Sequence, residues 1–201
     1  VQQAAMVTDH SSRAWAYRRI IDHILSSMQG MSASNTGENA IFEFNNSNDE
    51  KDWRIVLDGV MGGLSTGNVS VQNGSMLFTG ATSLENNGGF SSIRASMDPN
   101  DIDIFDAIQL RVRGDGRTWI FGTRGSNSMG ANSYWTSFKT EKNEWIKVTI
   151  PISEMERHSF GTRLSGRINP DEIKGVEFYM YDKKAGPFKL EVDSIKGISL
   201  S

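Results

Sequence analysis

From Ile41 onward, apolar and polar residues alternate with a period of two. Ile108, Leu110 and Val112 alternate with Gln109, Arg111 and Arg113; Val176, Phe178 and Met180 alternate with Glu177, Tyr179 and Tyr181; Phe188, Leu190 and Val192 alternate with Lys189, Glu191 and Asp193. Successive strand side chains point to opposite faces, so each run predicts a strand with one side in a core and the other turned out. Similar runs at Ile41–Phe44, Trp53–Leu57, Asn68–Gln72, Ser75–Thr79, Phe90–Ser96, Thr118–Thr123, Ser133–Phe138 and Trp145–Ile150 bring the total to about eleven. Asn73-Gly74 between Val71 and Met76 predicts a two-residue hairpin, because both central residues of a type I′ turn need positive φ. Short strands separated by turn signals, with no helix between them, predict an all-β fold of two antiparallel sheets packed face to face.

Before Ile41 the period is helical. From about Ser12 to Met28, the residues Tyr17, Ile20, Ile21, Ile24, Leu25 and Met28 share one face, with Asp9, Ser11 or Ser12 as a cap and Gly30 as a stop. This apolar stripe needs a cover: its own domain, a partner groove or a membrane surface. Arg13, Arg18 and Arg19 match a targeting presequence, while Asp9 and Asp22 argue against one. Met31 to Ala40 is small and polar. The expected organisation is therefore a helix and linker over 1–40 and a sandwich over 41–201.

Composition narrows the function. The 201 residues are 37% hydrophobic and 22% charged, which suits one folded domain. A net charge of −3 with scattered basic residues argues against nucleic acid as a partner. No apolar run approaches the roughly 20 residues that span a bilayer, so no transmembrane segment is expected. The absence of cysteine removes disulfide and thiolate chemistry and leaves the compartment undecided. The opening Val-Gln-Gln-Ala-Ala reads like an end left by leader removal, an expectation of export.

Candidate chemistry is sparse. Gly63-Leu64-Ser65-Thr66-Gly67 matches the nucleophile-elbow pattern, but a strand follows it instead of a helix, and His10, His23 and His158 lie in the helix or in loops. No catalytic residue is expected, and the chain reads as a non-enzyme. Asp98, Asp101, Asp103 and Asp106 offer carboxylates to a structural calcium but lack the glycine and terminal glutamate of an EF-hand loop. No other cofactor is expected, and no metal ligand set is assigned. Two glycine-rich segments, Asp58-Gly59-Val60-Met61-Gly62-Gly63-Leu64-Ser65 and Glu85-Asn86-Asn87-Gly88-Gly89-Phe90, predict tight corners between strands, with Gly62 and Gly88 as candidates for positive φ.

These segments carry a family resemblance. Together with Trp53, Phe78-Thr79-Gly80, Ser91-Ser92-Ile93-Arg94, Gly114-Asp115-Gly116-Arg117, Trp145…Ile150-Pro151 and Gly186-Pro187-Phe188-Lys189-Leu190-Glu191-Val192-Asp193-Ser194-Ile195, they resemble the complex I intermediate-associated protein 30 family over roughly Ile41 to Ile198. The resemblance implies a jelly-roll sandwich of the galactose-binding-like type, akin to carbohydrate-binding modules. It also implies a role in assembling respiratory complex I in mitochondrial members, and no catalytic residues. The N-terminal helix and the Gly125–Asn132 loop stand apart from the motif pattern. Asp58, Gly59, Met61, Gly62, Gly63, Ser65, Asn87, Gly88, Gly89 and Arg94 fall in its motif loops and are expected to be structural.

Strand phase supplies the binding candidates. If Ile108, Leu110 and Val112 face the core, Arg111 faces out; likewise Val176, Phe178 and Met180 turn Glu177, Tyr179 and Tyr181 outward, and Phe138 turns Trp135 outward. Arg111, Trp135, Glu177, Tyr179 and Tyr181 line one open face if their strands share a sheet. Flat rings beside charges suit a protein hot spot or a sugar platform. The expected function is a non-catalytic interaction module, with a protein-complex assembly factor as the first reading and oligosaccharide binding on an outer sheet face as the alternative.

Overall fold

The computed structural model describes residues 37–125, 132–159 and 161–200. The helix predicted over Ser12–Met28 and most of the Gly125–Asn132 loop lie outside the described residues, as does the side chain of Met61. Thirteen strands in the described part form two sheets. The first runs β3 (Thr66–Gln72), β4 (Ser75–Thr82), β13 (Gly186–Ile198), β6 (Ala107–Gly114), β9 (Trp145–Pro151), with β1 (Glu38–Glu43) also on β13. The second runs β11 (Thr162–Arg163), β10 (Glu156–Ser159), β8 (Ser133–Lys139), β7 (Thr118–Arg124), β12 (Gly175–Met180), β5 (Ser91–Ser96), β2 (Trp53–Leu57). Every pair of these strands is antiparallel. The fold is a jelly-roll sandwich, as expected. No helix of the described residues is long and apolar enough to cross a membrane.

The alternating positions meet in the middle. Ile108, Leu110 and Val112 of β6 and Leu190 and Val192 of β13 face Val176, Phe178 and Met180 of β12 across one buried core. Aromatic rings interlock there: Phe121 and Phe178 lie 5.2 Å apart edge to face, and Phe78, Trp119 and Phe188 form a second cluster with centroids 5.0–5.8 Å apart. Asn73 (φ 53°) and Gly74 (φ 75°) make the predicted hairpin turn between β3 and β4. Strand β1 begins at Glu38, three residues earlier than the periodicity predicts, because its first residues pair with Lys196–Ile198 while staying exposed, with Lys196 Nζ also meeting Glu38 Oε1 at 2.9 Å.

The two glycine-rich corners are locked to each other by Asp58, which is fully buried. Its Oδ1 accepts from the Ser65 amide (3.1 Å); its Oδ2 accepts from the Ser65 hydroxyl (2.5 Å) and from the amides of Gly89 (2.7 Å) and Phe90 (3.2 Å). The Ser65 hydroxyl in turn accepts from the Ser83 amide (3.0 Å), so the serine of the elbow pattern is occupied on both sides. The Gly59 carbonyl accepts from the Gly62 amide, and the Gly62 carbonyl from the Asn86 side chain. Gly62 (φ 86°), Asn87 (φ 60°) and Gly89 (φ 128°) hold left-handed backbone. Gly88 does not (φ −72°), contrary to expectation. Its constraint is space, since a Cβ there would sit 2.7 Å from Asp58 Oδ2, and one on Gly63 would sit 2.3 Å from Asp58 Cγ.

Two outcomes follow from this clamp. Gly63→Ala and Gly88→Ala should each lower stability by about 1–3 kcal/mol through crowding; unchanged denaturation midpoints would mean that the corner has slack. Burial pushes the Asp58 carboxyl up, but the Ser65 hydroxyl and the Gly89, Phe90 and Ser65 amides outweigh it and hold the carboxyl below its ordinary range. A carboxyl depressed in the fold stabilises above the unfolded-chain pKa of about 3.9 and loses that contribution as pH falls through the folded value. Asp58→Asn should therefore be less stable at neutral pH and lose less stability on acidification, read from melting temperature against pH.

Candidate functional site on the outer face of the second sheet

Register places three rows of side chains across the solvent side of the second sheet. Arg54, Arg94, Glu177, Gly122, Trp135 and Glu156 follow one another across β2, β5, β12, β7, β8 and β10. Val56, Ser92, Tyr179, Ile120 and Ser137 form the row on one side; Arg124, Ser133 and His158 belong to the row on the other. Strand phase alone turns Glu177 and Tyr179 outward, as predicted. Neither is open to solvent, however: Glu177 is 0% exposed and Tyr179 7%.

The cover comes from neighbouring rows. Glu177 Oε2 forms ion pairs with Arg94 Nε (3.2 Å) and Arg124 Nη1 (3.1 Å), and it accepts from the Tyr179 hydroxyl at 3.4 Å. Its Oε1 accepts from the Ser133 hydroxyl and from Trp135 Nε1 (3.2 Å). Arg94 Nη2 donates to the Tyr179 oxygen at 2.6 Å. Gly122 lies between Glu177 and Trp135, and a Cβ on it would fall 2.8 Å from Glu177 Cγ and 3.0 Å from Trp135 Cδ1. The missing side chain is what lets the indole reach the carboxylate. Burial pushes the Glu177 carboxyl above its ordinary value, against the pull of Arg94 and Arg124. Burial, and then the charge of Glu177, push the Tyr179 phenol up to about 12, so it stays a protonated donor.

This network holds a strip of rings. Trp135 stacks on His158 with centroids 4.4 Å apart and planes 13° from parallel, and it meets Tyr179 at 5.1 Å. Tyr179 continues to Phe90 (6.1 Å), and Phe90 to Tyr181 (6.4 Å). Beside the strip a groove of about 450 Å³ is lined by Ile120, Trp135, Glu154, Glu156, His158 and Tyr181. Rings held at both edges present apolar area at small entropic cost.

Trp135, Glu177, Tyr179 and Tyr181 thus share one face. Arg111 does not join them, because β6 belongs to the first sheet. There it pairs with Asp193 (2.8 Å) and lies over the Trp145 ring (4.8 Å), as does Arg113. Arg94, read as a motif-loop residue, belongs to the Glu177 network. Arg124, Ser133, His158 and Phe90 complete the face and were not among the binding candidates that strand phase supplied. The glycine inside the Thr118–Thr123 run was the signal, since an interior strand glycine marks close approach. Among the described residues no group of three or more His, Cys, Asp or Glu side chains is placed to hold a metal. In the acidic run, Asp98 accepts from the Asn100 amide and Asp106 from the Leu200 amide.

Breaking this network should be costly. Glu177→Ala removes the buried carboxylate on which the Arg94, Ser133, Trp135 and Tyr179 donors converge and is expected to lose about 3–5 kcal/mol in urea denaturation. A variant as stable as the parent would show that the network is not buried as described.

A profile of the complex I intermediate-associated protein 30 family matches residues 42–192. The mitochondrial complex I intermediate-associated protein 30 of Mus musculus is 26% identical over 208 aligned positions. That alignment covers 89% of this chain and 63% of the mouse protein, so the chain spans less than two thirds of that relative's length. In structure, a family 11 carbohydrate-binding module from Clostridium thermocellum, in complex with a β-1,3-1,4-mixed-linked tetrasaccharide, superposes with a TM-score of 0.61 at 19% identity, over 83% of this chain and 98% of the module. The family 11 module of a cellulosomal cellulase of the same organism gives 0.61 at 19% identity, over 83% and 97%. These likenesses concern the fold. The profile match runs over both clamped corners and the strands that carry the Glu177 network, and the chain belongs to the complex I intermediate-associated protein 30 family.

Proposed function

We propose that the chain is a non-catalytic interaction module that binds a partner through the outer face of the second sheet and serves as a factor in protein-complex assembly. The observation that carries this reading is the rigid ring strip: Trp135 is fixed by the Glu177 carboxylate at one edge and by His158 across its face. Such preorganised aromatic surface is where interfaces concentrate their binding energy. The engagement of the Ser65 hydroxyl by Asp58 and Ser83 supports a non-catalytic role. The name of the mouse relative supports an assembly role.

One observation favours a second reading. The groove sets Trp135 and Tyr181 beside the carboxylates of Glu154 and Glu156, a combination of ring faces and acceptors that suits the hydroxyls of an oligosaccharide.

Tyr181→Ala and Trp135→Ala should each weaken partner capture by about 2 kcal/mol or more, while Arg111→Ala, on the opposite sheet, should leave it unchanged. The measurement is quantitative affinity purification of the tagged chain from its native organism, followed by mass spectrometry, beside calorimetric titration with mixed-linkage gluco-oligosaccharides. Equal partner recovery from all three variants would remove the site. Loss of sugar binding with partner recovery intact would favour the second reading.

A further inference from the structure

The β2–β5 side of the same face carries an unusual pair. Arg54 and Arg94 are direct cross-strand neighbours in the antiparallel register, on the same side of the sheet. Like charges placed directly opposite are unfavourable on a sheet surface. Arg94 is offset from within: Nε meets Glu177 and Nη2 meets the Tyr179 oxygen, which leaves Nη1 without a hydrogen-bond partner among the described residues. Its side chain is largely buried, so this free donor is held in place. Arg54 is exposed and meets no carboxylate among the described residues. The chain as a whole is acidic, with a net charge of −3, so the pair is not the edge of a generally basic surface.

Aromatic rings adjoin the Arg94 side of the pair. The Arg94 guanidinium lies 5.6 Å from the Tyr179 ring centre, and Phe90 follows Tyr179. Leu84 reaches the turn just before Phe90: its Cδ2 is 3.1 Å from where a Cβ on Gly89 would stand. Leu64 and Leu84 are the sequence neighbours of the hydrogen-bonded Ser65 and Ser83, and both are about half exposed (55% and 49%). Two arginines in one row, one of them fixed, offer guanidinium donors of the kind that bind a carboxylate. The Phe90 ring, with half-exposed Leu84 at the turn before it, offers apolar surface to an apolar side chain.

Resting on the reading of this face as a binding surface, we propose that its partner is an acidic protein segment. One of its carboxylates is held between Arg54 and Arg94, and a neighbouring apolar side chain lies over Phe90 and Leu84. The charge complementarity is local and needs no rearrangement of the Glu177 network.

The test is fluorescence anisotropy with the full chain and three labelled probes: a short peptide of Glu, Leu and Phe, the same peptide with Lys for Glu, and an oligogalacturonate. The acidic peptide should bind, and more weakly as salt rises from about 50 to about 200 mM. Arg54→Glu should weaken it at least about tenfold and Arg54→Lys by less, because lysine keeps the charge and loses the fork. Melting temperature checks that Arg54→Glu folds, as expected of an exposed position. No binding of the acidic peptide, equal binding of the lysine peptide, or indifference to Arg54→Glu would overturn the proposal. Tighter, Arg54-dependent binding of oligogalacturonate would overturn the assignment to protein. Partner capture that depends on Trp135 and Tyr181 but not on Arg54 would sink this inference while leaving the binding face intact.

Discussion

The carboxylate of Glu177 stands on the solvent side of a β-sheet and yet is closed off from solvent, and the layout of that face follows from this. Even after relaxation, removing an ion from water costs several kcal/mol. Two guanidiniums and the hydroxyl and indole donors of Ser133, Trp135 and Tyr179 offset that cost, and each must come from a different place on the sheet. The donors can converge only because Gly122 contributes no side chain between them. Strand β12 is consequently buried on both faces, apolar toward the core and charged toward the outside. Residues that share one charge act as a unit, so the effects of their substitutions will not add.

Asp58 and Glu177 are both fully buried carboxylates, and their surroundings move them in opposite directions. Asp58 receives three backbone amides and a hydroxyl, from Ser65 in its own corner and from Gly89 and Phe90 in the other, dipoles already fixed by the corners they belong to. Glu177 depends mainly on long side chains reaching across strands, which shield the site from water as they neutralise it. The first arrangement joins two loops. The second builds a surface, since the groups that cover the carboxylate are the ones a partner would touch.

The core was legible from alternation, because Val176, Phe178, Met180 and their counterparts in β6 and β13 are apolar on one phase only. The hairpin at Asn73-Gly74 was legible for a local reason, the need for positive φ. Strands β10 and β11 were not, since they carry no apolar period. Placing Arg111 with Trp135 failed because phase tells which way a side chain points and not which sheet its strand joins; sheet membership depends on pairings distant in sequence, such as Arg111 with Ser194. The same limit hid the burial of Glu177. A glutamate on an outward phase reads as solvated, and the arginines that cover it lie 83 residues away at Arg94 and 53 away at Arg124, in separate runs of the chain.

The segment Gly88 to Arg94 ties these features together. Gly88 leaves room for Asp58, the amides of Gly89 and Phe90 bind it, and the Phe90 side chain passes to the other surface and meets Tyr179 and Tyr181. Ser92 then fixes β5 to β2 by donating to the Val56 carbonyl, and Arg94 delivers its guanidinium to Glu177 and Tyr179. A single run of seven residues therefore anchors the corner and supplies one edge of the ring strip. This gives a physical reason for the glycines and the arginine to occur in one continuous motif: the corner fixes where β5 begins, and where β5 begins decides whether Arg94 reaches the carboxylate.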